Sequence, residues 1–271
     1  MRENKACFLC IKEGGVWYYT IDSFDQTGLV RHSFTTRRGG VSAGIYESMN
    51  LRFHSEDARE NVLENFKRSC EAIGADVHSV VLSHQVHRTD VVAVTKKDCG
   101  NGIFRENAFQ SADGLMTNEP GVTLSTYYAD CVPIYFLDPV HRAIALVHSG
   151  WRGTAERIGQ VAVERMQEQY GTKPDDLLAA VGPCIGVCHF EVGDEVSEIF
   201  RETFGEEVLE RHEKWHVNLP LSVQKTLLSA GIPAKNITMA EICTYCHSDL
   251  LFSHRKTNGN RGNLGAFLAL K

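Results

Sequence analysis

Strand-like segments arrive in runs along this chain, and helices separate only some of them. Residues 79–94, rich in Val and bounded by polar turns, read as strand, as do 122–137 and 143–148. Residues 98–111 (DCGNGIFRENAFQS) are polar and carry Gly and Asn, so they read as a loop between strands rather than a domain boundary. Further strands are expected at 29–34, 177–181, 237–243 and 264–270. Helical spacing of Val62, Leu63, Phe66 and Cys70 marks a helix over 57–73, and 192–204 and 221–230 read likewise. The clearest helix is 154–170. Thr154 is its expected N-cap, Ile158, Val161, Ala162 and Met166 form its stripe, and Gly171 closes it. A regular βαβ series would put a helix in every crossover, so this pattern predicts an α+β fold, with residues 1–271 forming one domain.

The chain is long enough to bury a large core, and its 43% hydrophobic and 23% charged residues are ordinary for a soluble globular protein. A formal charge of -6 excludes nucleic-acid binding through bulk positive charge. Any anionic ligand has to be caught by local basic clusters: Arg37-Arg38 before the Gly39-Gly40 turn, Arg255-Lys256, or Arg261. The first residues show no long apolar run and no small-residue cleavage site, and no stretch reaches the ~20 apolar residues that span a bilayer. A cytoplasmic protein, monomer or homodimer, without membrane contact is expected. In that reducing compartment the nine cysteines read as buried thiols, metal ligands or nucleophiles before they read as bridges.

Cys131, in Tyr128-Ala129-Asp130-Cys131-Val132-Pro133, sits where a strand meets a bend, and His148 follows at the end of the next strand. A hairpin of that length brings both side chains to one end of a sheet. Upstream, His84-Gln85-Val86-His87 adds two imidazoles. On an extended strand, positions three apart face opposite ways, so at most one of them joins the cluster. One thiolate with two imidazoles suits zinc with a coordination position left open. The same set forms the core of a blue-copper centre, which also wants a weak axial ligand such as Met, Met116 being the nearby one. Without metal, Cys131 and His148 with Asp130 as orienter would make a nucleophilic hydrolase. The metal reading accounts for one residue more, His87. Directly after His148, Ser149-Gly150-Trp151-Arg152-Gly153-Thr154 opens the 154–170 helix, and its backbone N–H groups with Arg152 form an expected anion site.

Two other patterns compete. Cys7-x-x-Cys10 and Cys243-x-x-Cys246 have the spacing of a four-cysteine zinc site, yet nothing in the sequence brings the pairs together. His189-Phe190-Glu191 followed by C-x-x-C has the outline of a nucleobase deaminase motif, but lacks the Pro before its first Cys.

Taken in order, TTRRGGVS with MNL and His54 downstream, SHQVHRTD, ADCVP, HSGWRGT, GPCIG and FSHRKTNGNRG resemble the YfiH/YlmD family, near its Bacillus-type YlmD members, from about Arg31 onward. That family has been called the laccase-domain or polyphenol-oxidase family, and its members are described as purine nucleoside phosphorylases. The resemblance implies a sandwich of mixed sheets with helices outside, like the catalytic domain of cytotoxic necrotizing factor toxins. It implies zinc (Cu2+ being the alternative) on His87, Cys131 and His148. It implies phosphorolysis of adenosine, inosine, guanosine and methylthioadenosine, and deamination of adenosine. A copper-dependent polyphenol oxidase and the Cys–His hydrolase stand as alternatives. Under this reading Arg152, helped by Arg37, holds phosphate, Asp130 carries a proton, and Asn50 and His84 hydrogen-bond the nucleoside. Residues 98–111 are longer than is usual in the family and bear on substrate access.

Overall fold

Strands Val132–Asp138 and Ala143–Ser149 are buried along their whole length, as strands covered on both faces must be. Ile134, Phe136, Ala145 and Val147 pack against helices on one side; Tyr135, Leu137, Ile144 and Leu146 pack against a second sheet on the other. In the computed structural model, which describes residues 8–271, the two strands form the middle of a six-stranded sheet. Its order is Ile237–Met239, Leu178–Val181, Val132–Asp138, Ala143–Ser149, Gly114–Thr117, Val91–Ala93. Pairing is parallel only at its two edges. The facing sheet runs Phe8–Glu13, Val16–Ile21, Val30–Thr35, Leu264–Leu270, Thr123–Tyr128, Val80–Leu82, parallel only at the last pair.

Helices close the outer faces. Ile158–Tyr170, Asp194–Phe204 and Leu219–Ser229 cover the first sheet described through Ile158, Ala162, Met166, Phe200, Val223 and Leu227. Arg59–Ala72 covers the facing sheet with Val62, Phe66 and Cys70 against Phe267. Each Val, Leu, Ile, Met or Phe among these taken fully out of water contributes about 1.5–3 kcal/mol, so the layered order follows from the pattern of apolar faces. The expected α+β fold of mixed sheets flanked by helices is the one observed.

Four expectations are corrected. Residues 79–94 are not one strand but two, Val80–Leu82 and Val91–Ala93, which lie in different sheets. Likewise 122–137 divides into Thr123–Tyr128 and Val132–Asp138, one in each sheet, because Asp130 takes a left-handed turn at φ 86. The 237–243 strand stops at Met239. Finally, Thr154 caps nothing: it is buried, and its hydroxyl pairs with Ser149 Oγ at 2.7 Å. The helix begins three residues earlier as a short turn, Trp151–Ala155, with Gly150 in the N-cap place, and restarts as Ile158–Tyr170 after Arg157 at φ 60.

Candidate metal centre

Two chain crossings between the sheets meet at one end of the sandwich. Residues 83–90 carry the chain from Val80–Leu82 to Val91–Ala93, and 129–131 carry it from Thr123–Tyr128 to Val132–Asp138. His87 lies on the first crossing and Cys131 on the second; His148 stands beside them in Ala143–Ser149, where it pairs with Pro133. One donor atom from each of the three lies within 4.8 Å of the others. The Cys131 sulfur is 3.9 Å from His87 Nε2, and the two imidazole rings are 4.8 Å apart at 89°.

The residue that holds this set together stands in none of the motifs. Asp113 is fully buried, and its Oδ1 takes the His148 Nδ1 hydrogen at 2.8 Å. The same carboxylate accepts the backbone N–H groups of Val86, His87 and Arg88, each at 3.0 Å. These three bonds hold His87 at φ 62, a conformation that costs a non-glycine residue about 1–3 kcal/mol and persists only where its surroundings enforce it. Asp113 therefore bends the crossing and, by taking Nδ1, turns His148 Nε2 toward Cys131. The only trace in the sequence is an Asp-Gly pair at the head of a strand.

Gly150 is required for space. A Cβ there would lie 2.6 Å from His87 Cδ2 and 3.5 Å from the Cys131 sulfur, while its backbone φ of -72 is ordinary. Burial raises the Cys131 thiol, but the charge and hydrogen bonds of His148 and His87 outweigh it and bring the pKa down to about 6. Burial lowers His148, and the Cys131 thiolate with Asp113 reverses this, raising it to about 9. A thiolate, two convergent imidazoles and a carboxylate behind one of them is a donor set that fits a divalent transition metal with a place left open.

Met116 faces the helix-side core with Val91 and Ala145, so it supplies no axial ligand of the blue-copper kind. For a metal-free hydrolase, the carboxylate on His148 is Asp113, not Asp130. Asp130 Oδ1 accepts from Thr244 Oγ1 at 2.6 Å and Oδ2 from the Arg255 N–H at 2.7 Å, so both its oxygens tie loops together.

The donors open on a cleft of about 1240 Å³ lined by His84, His87, Cys131 and His148, with Phe53, Tyr127 and Phe190. Residues 98–111 form part of its rim through Phe104, Arg105 and Asn107. Five guanidinium groups line it: Arg52, Arg59, Arg105, Arg255 and Arg261. Among the described residues, none of them forms a salt bridge. Burial, followed by the charge of neighbouring Arg52, pushes the Arg261 pKa below its ordinary value, and Arg261 Nε is buried without a hydrogen-bond partner. Burial and Arg261 similarly lower His254. A buried guanidinium that feels a second one nearby and is ion-paired to no carboxylate can receive an anion.

Of the other expected site residues, Arg152 lines an adjoining cleft of about 800 Å³ that shares His87, Asp130 and Cys131, and its guanidinium lies 4.2 Å from the Trp151 ring centre. The helical turn it opens is only five residues long, so little dipole backs the anion site expected there. His84 enters the larger cleft with Nδ1 tied to the Phe109 carbonyl. Arg37 and Asn50 are not brought to the site. Arg37 donates to the Glu47 and Ser248 carbonyls at 2.8 and 3.1 Å. Asn50 is buried, donating to Asp57 and accepting from the Arg52 and Asn263 N–H groups.

A two-sheet α+β sandwich whose crossings carry a His–Cys–His donor set defines the class. The chain belongs to the family described as multi-copper polyphenol oxidoreductase laccase, whose model matches residues 31–271. It is 38% identical over 240 residues to the purine nucleoside phosphorylase YlmD of Geobacillus stearothermophilus, covering 86% of this chain and 88% of that protein. It is 33% identical over 237 residues to adenosine deaminase RL5 from an unknown prokaryotic organism, covering 85% and 90%. The crystal structure of the Bacillus licheniformis hypothetical protein YfiH matches with a TM-score of 0.91 at 32% identity, over 97% of this chain and 99% of that one. The family expected from the motifs is the family found.

Proposed function

We propose that this chain is a zinc-dependent purine nucleoside phosphorylase. Its substrates in this reading are adenosine, inosine, guanosine and methylthioadenosine, cleaved with phosphate to the free base and the (methylthio)ribose 1-phosphate. The observation that carries the reading is the cleft: cationic groups without carboxylate partners, aromatic walls, and a three-donor set on one side. The names of the Geobacillus and RL5 relatives support phosphorolysis and deamination as the two reactions to look for.

Phosphorolysis breaks the C1′–N9 bond, forms a bond from a phosphate oxygen to C1′, and sends the electron pair to the purine, which takes up a proton. In this proposal Arg52 and Arg261 hold the phosphate and cancel the repulsion it would otherwise meet from the ribose oxygens. Phe190 and Tyr127 flank the base. His84, with Nδ1 bound to a backbone carbonyl, presents Nε2 as an acceptor to the nucleoside. Asp130 acts as a positioning residue, since releasing either loop would be needed to free an oxygen for proton transfer. A divalent cation held by His87, Cys131 and His148 supplies Lewis acidity at this end of the cleft.

Purified protein incubated with adenosine, with and without phosphate, tests this by product chromatography. Adenine and ribose 1-phosphate that appear only with phosphate support it. Inosine in both incubations indicates deamination as the main activity, and unchanged adenosine overturns the enzyme reading for this substrate.

A further inference from the structure

The C-x-x-C at Cys243 and Cys246 finds partners, though not the expected ones. Cys10 lies on the Phe8–Glu13 strand, and Cys7 falls outside the described residues. Instead Cys188 and His189, from the loop after Gly182-Pro183, come to meet them, and one donor atom from each of the four lies within 4.8 Å of the others. The Cys188 sulfur is 3.6 Å from that of Cys243 and 3.7 Å from that of Cys246. His189 Nδ1 is 3.2 Å from the Cys188 sulfur and 3.4 Å from the Cys246 sulfur.

These separations decide between chemistries. A disulfide needs its sulfurs about 2.0 Å apart, and Cys188 sits nearly equidistant from two candidates. A tetrahedral ion with bonds of about 2.3 Å to sulfur and about 2.0–2.1 Å to nitrogen sets sulfurs about 3.8 Å apart and sulfur and nitrogen about 3.5 Å apart. The four separations above lie within about 0.3 Å of the matching edges of that tetrahedron, and the remaining two are under 4.8 Å. Their surroundings are built for it. The Gly186 N–H donates to the Cys243 sulfur at 3.2 Å, and a Cβ on Gly186 would crowd the Cys188 sulfur at 3.2 Å. Tyr245 stacks on the His189 ring at 3.8 Å and 17°, fixing its plane, with Lys256 Nζ 4.4 Å above Tyr245.

We propose that Cys188, His189 Nδ1, Cys243 and Cys246 form a second, structural zinc site that clips the 182–190 loop to the 240–247 loop. Four protein donors leave no coordination place for a substrate, so the site closes on the ion. On binding, each protonated thiol gives up its proton to solvent, and three thiolates around one dication leave a single negative charge near Lys256. The clipped loops also shape the cleft: Thr244 holds Asp130, and the Arg255 guanidinium holds the His189 and Glu191 carbonyls on either side of Phe190. The ion would thus maintain a wall of the cleft without touching substrate.

The test is metal content per chain, combined with cobalt substitution of the full-length protein. Wild type is expected to carry two equivalents of zinc. Cys246→Ser should lose one, and Cys131→Ser should lose the other. With Co2+, the intense visible bands of tetrahedral thiolate-bound cobalt should persist in Cys131→Ser and disappear when Cys246→Ser is added to Cys131→Ser. Unchanged metal content in Cys246→Ser, or a disulfide involving Cys188 in the intact protein, would overturn the proposal. If Cys246→Ser does not fold, the cobalt spectrum of Cys131→Ser alone decides: bands support the clip and their absence removes it. None of these readouts depends on nucleoside turnover.

Discussion

The two donor clusters use the same atoms to opposite ends. His87, Cys131 and His148 sit where two crossings between the sheets meet, with a carboxylate behind them and a cleft in front. Cys188, His189, Cys243 and Cys246 sit on loops, where Cys188 and Cys246 are exposed, and a glycine N–H and a tyrosine ring support them. Three donors on crossings tied by Asp113 leave a position for chemistry; four on two loops consume every position and hold the loops together. The count of donors, rather than the donor type, separates reactive from structural metal sites.

The largest expected break in this contrast is Cys131→Ser. Removing the thiolate should lower kcat for adenosine phosphorolysis by about a thousandfold, since Lewis-acid stabilisation contributes several kcal/mol, and should leave the loop cluster's metal in place. Steady-state rates with metal analysis on one preparation check both halves. Next is Asp113→Asn, which should weaken metal binding at the three-donor site by about 10–100-fold in a chelator competition without moving the affinity of the four-donor site. Arg261→Gln should raise the KM for phosphate by about tenfold with metal content intact, as one charge-assisted bond of about 1.5 kcal/mol predicts. An unchanged KM would place the anion elsewhere, with Arg152 the next residue to vary.

The smallest effect calibrates what a buried imidazole does when no carboxylate takes a hydrogen from its ring, Asp25 standing 3.9 Å away. His32 is as buried as His148, but its Nδ1 has no partner and its Nε2 accepts the Ile21 N–H at 2.8 Å. Burial lowers its pKa from 6.5 to about 4 despite the opposing pull of Asp25. The unfolded chain takes up this proton near pH 6.5 and the folded one only near pH 4. The neutral ring therefore stabilises the fold above pH 6.5, and that contribution is lost as pH falls toward about 4. Urea unfolding across this window should show a shallower decline for His32→Gln than for wild type.

How far the sequence could be read depended on whether a signal was local. Leu264–Leu270 is apolar throughout, preceded by Gly262-Asn263 and followed by Lys271, and its observed limits match those expected. The Cys131 and His148 pairing followed from hairpin length alone. By contrast, 79–94 reads as one strand because Val-rich segments flank a turn whose cause, Asp113, comes 26 residues after His87. Helix 154–170 was placed too late because its first turn, Trp151–Ala155, has no side-chain cap to announce it. Cys188 gave no sign of its partners because they lie 55 and 58 residues further on, joined only by the fold.

The placement of His87 and Cys131 on the passages from one sheet to the other has a mechanical side. An ion bonded to both, and to His148 within the helix-covered sheet, works as a rivet through the two layers, resisting any shear of one across the other. Loading and stripping that ion would then register as stiffness beyond the three donors themselves, in slowed and quickened amide exchange along Thr123–Tyr128.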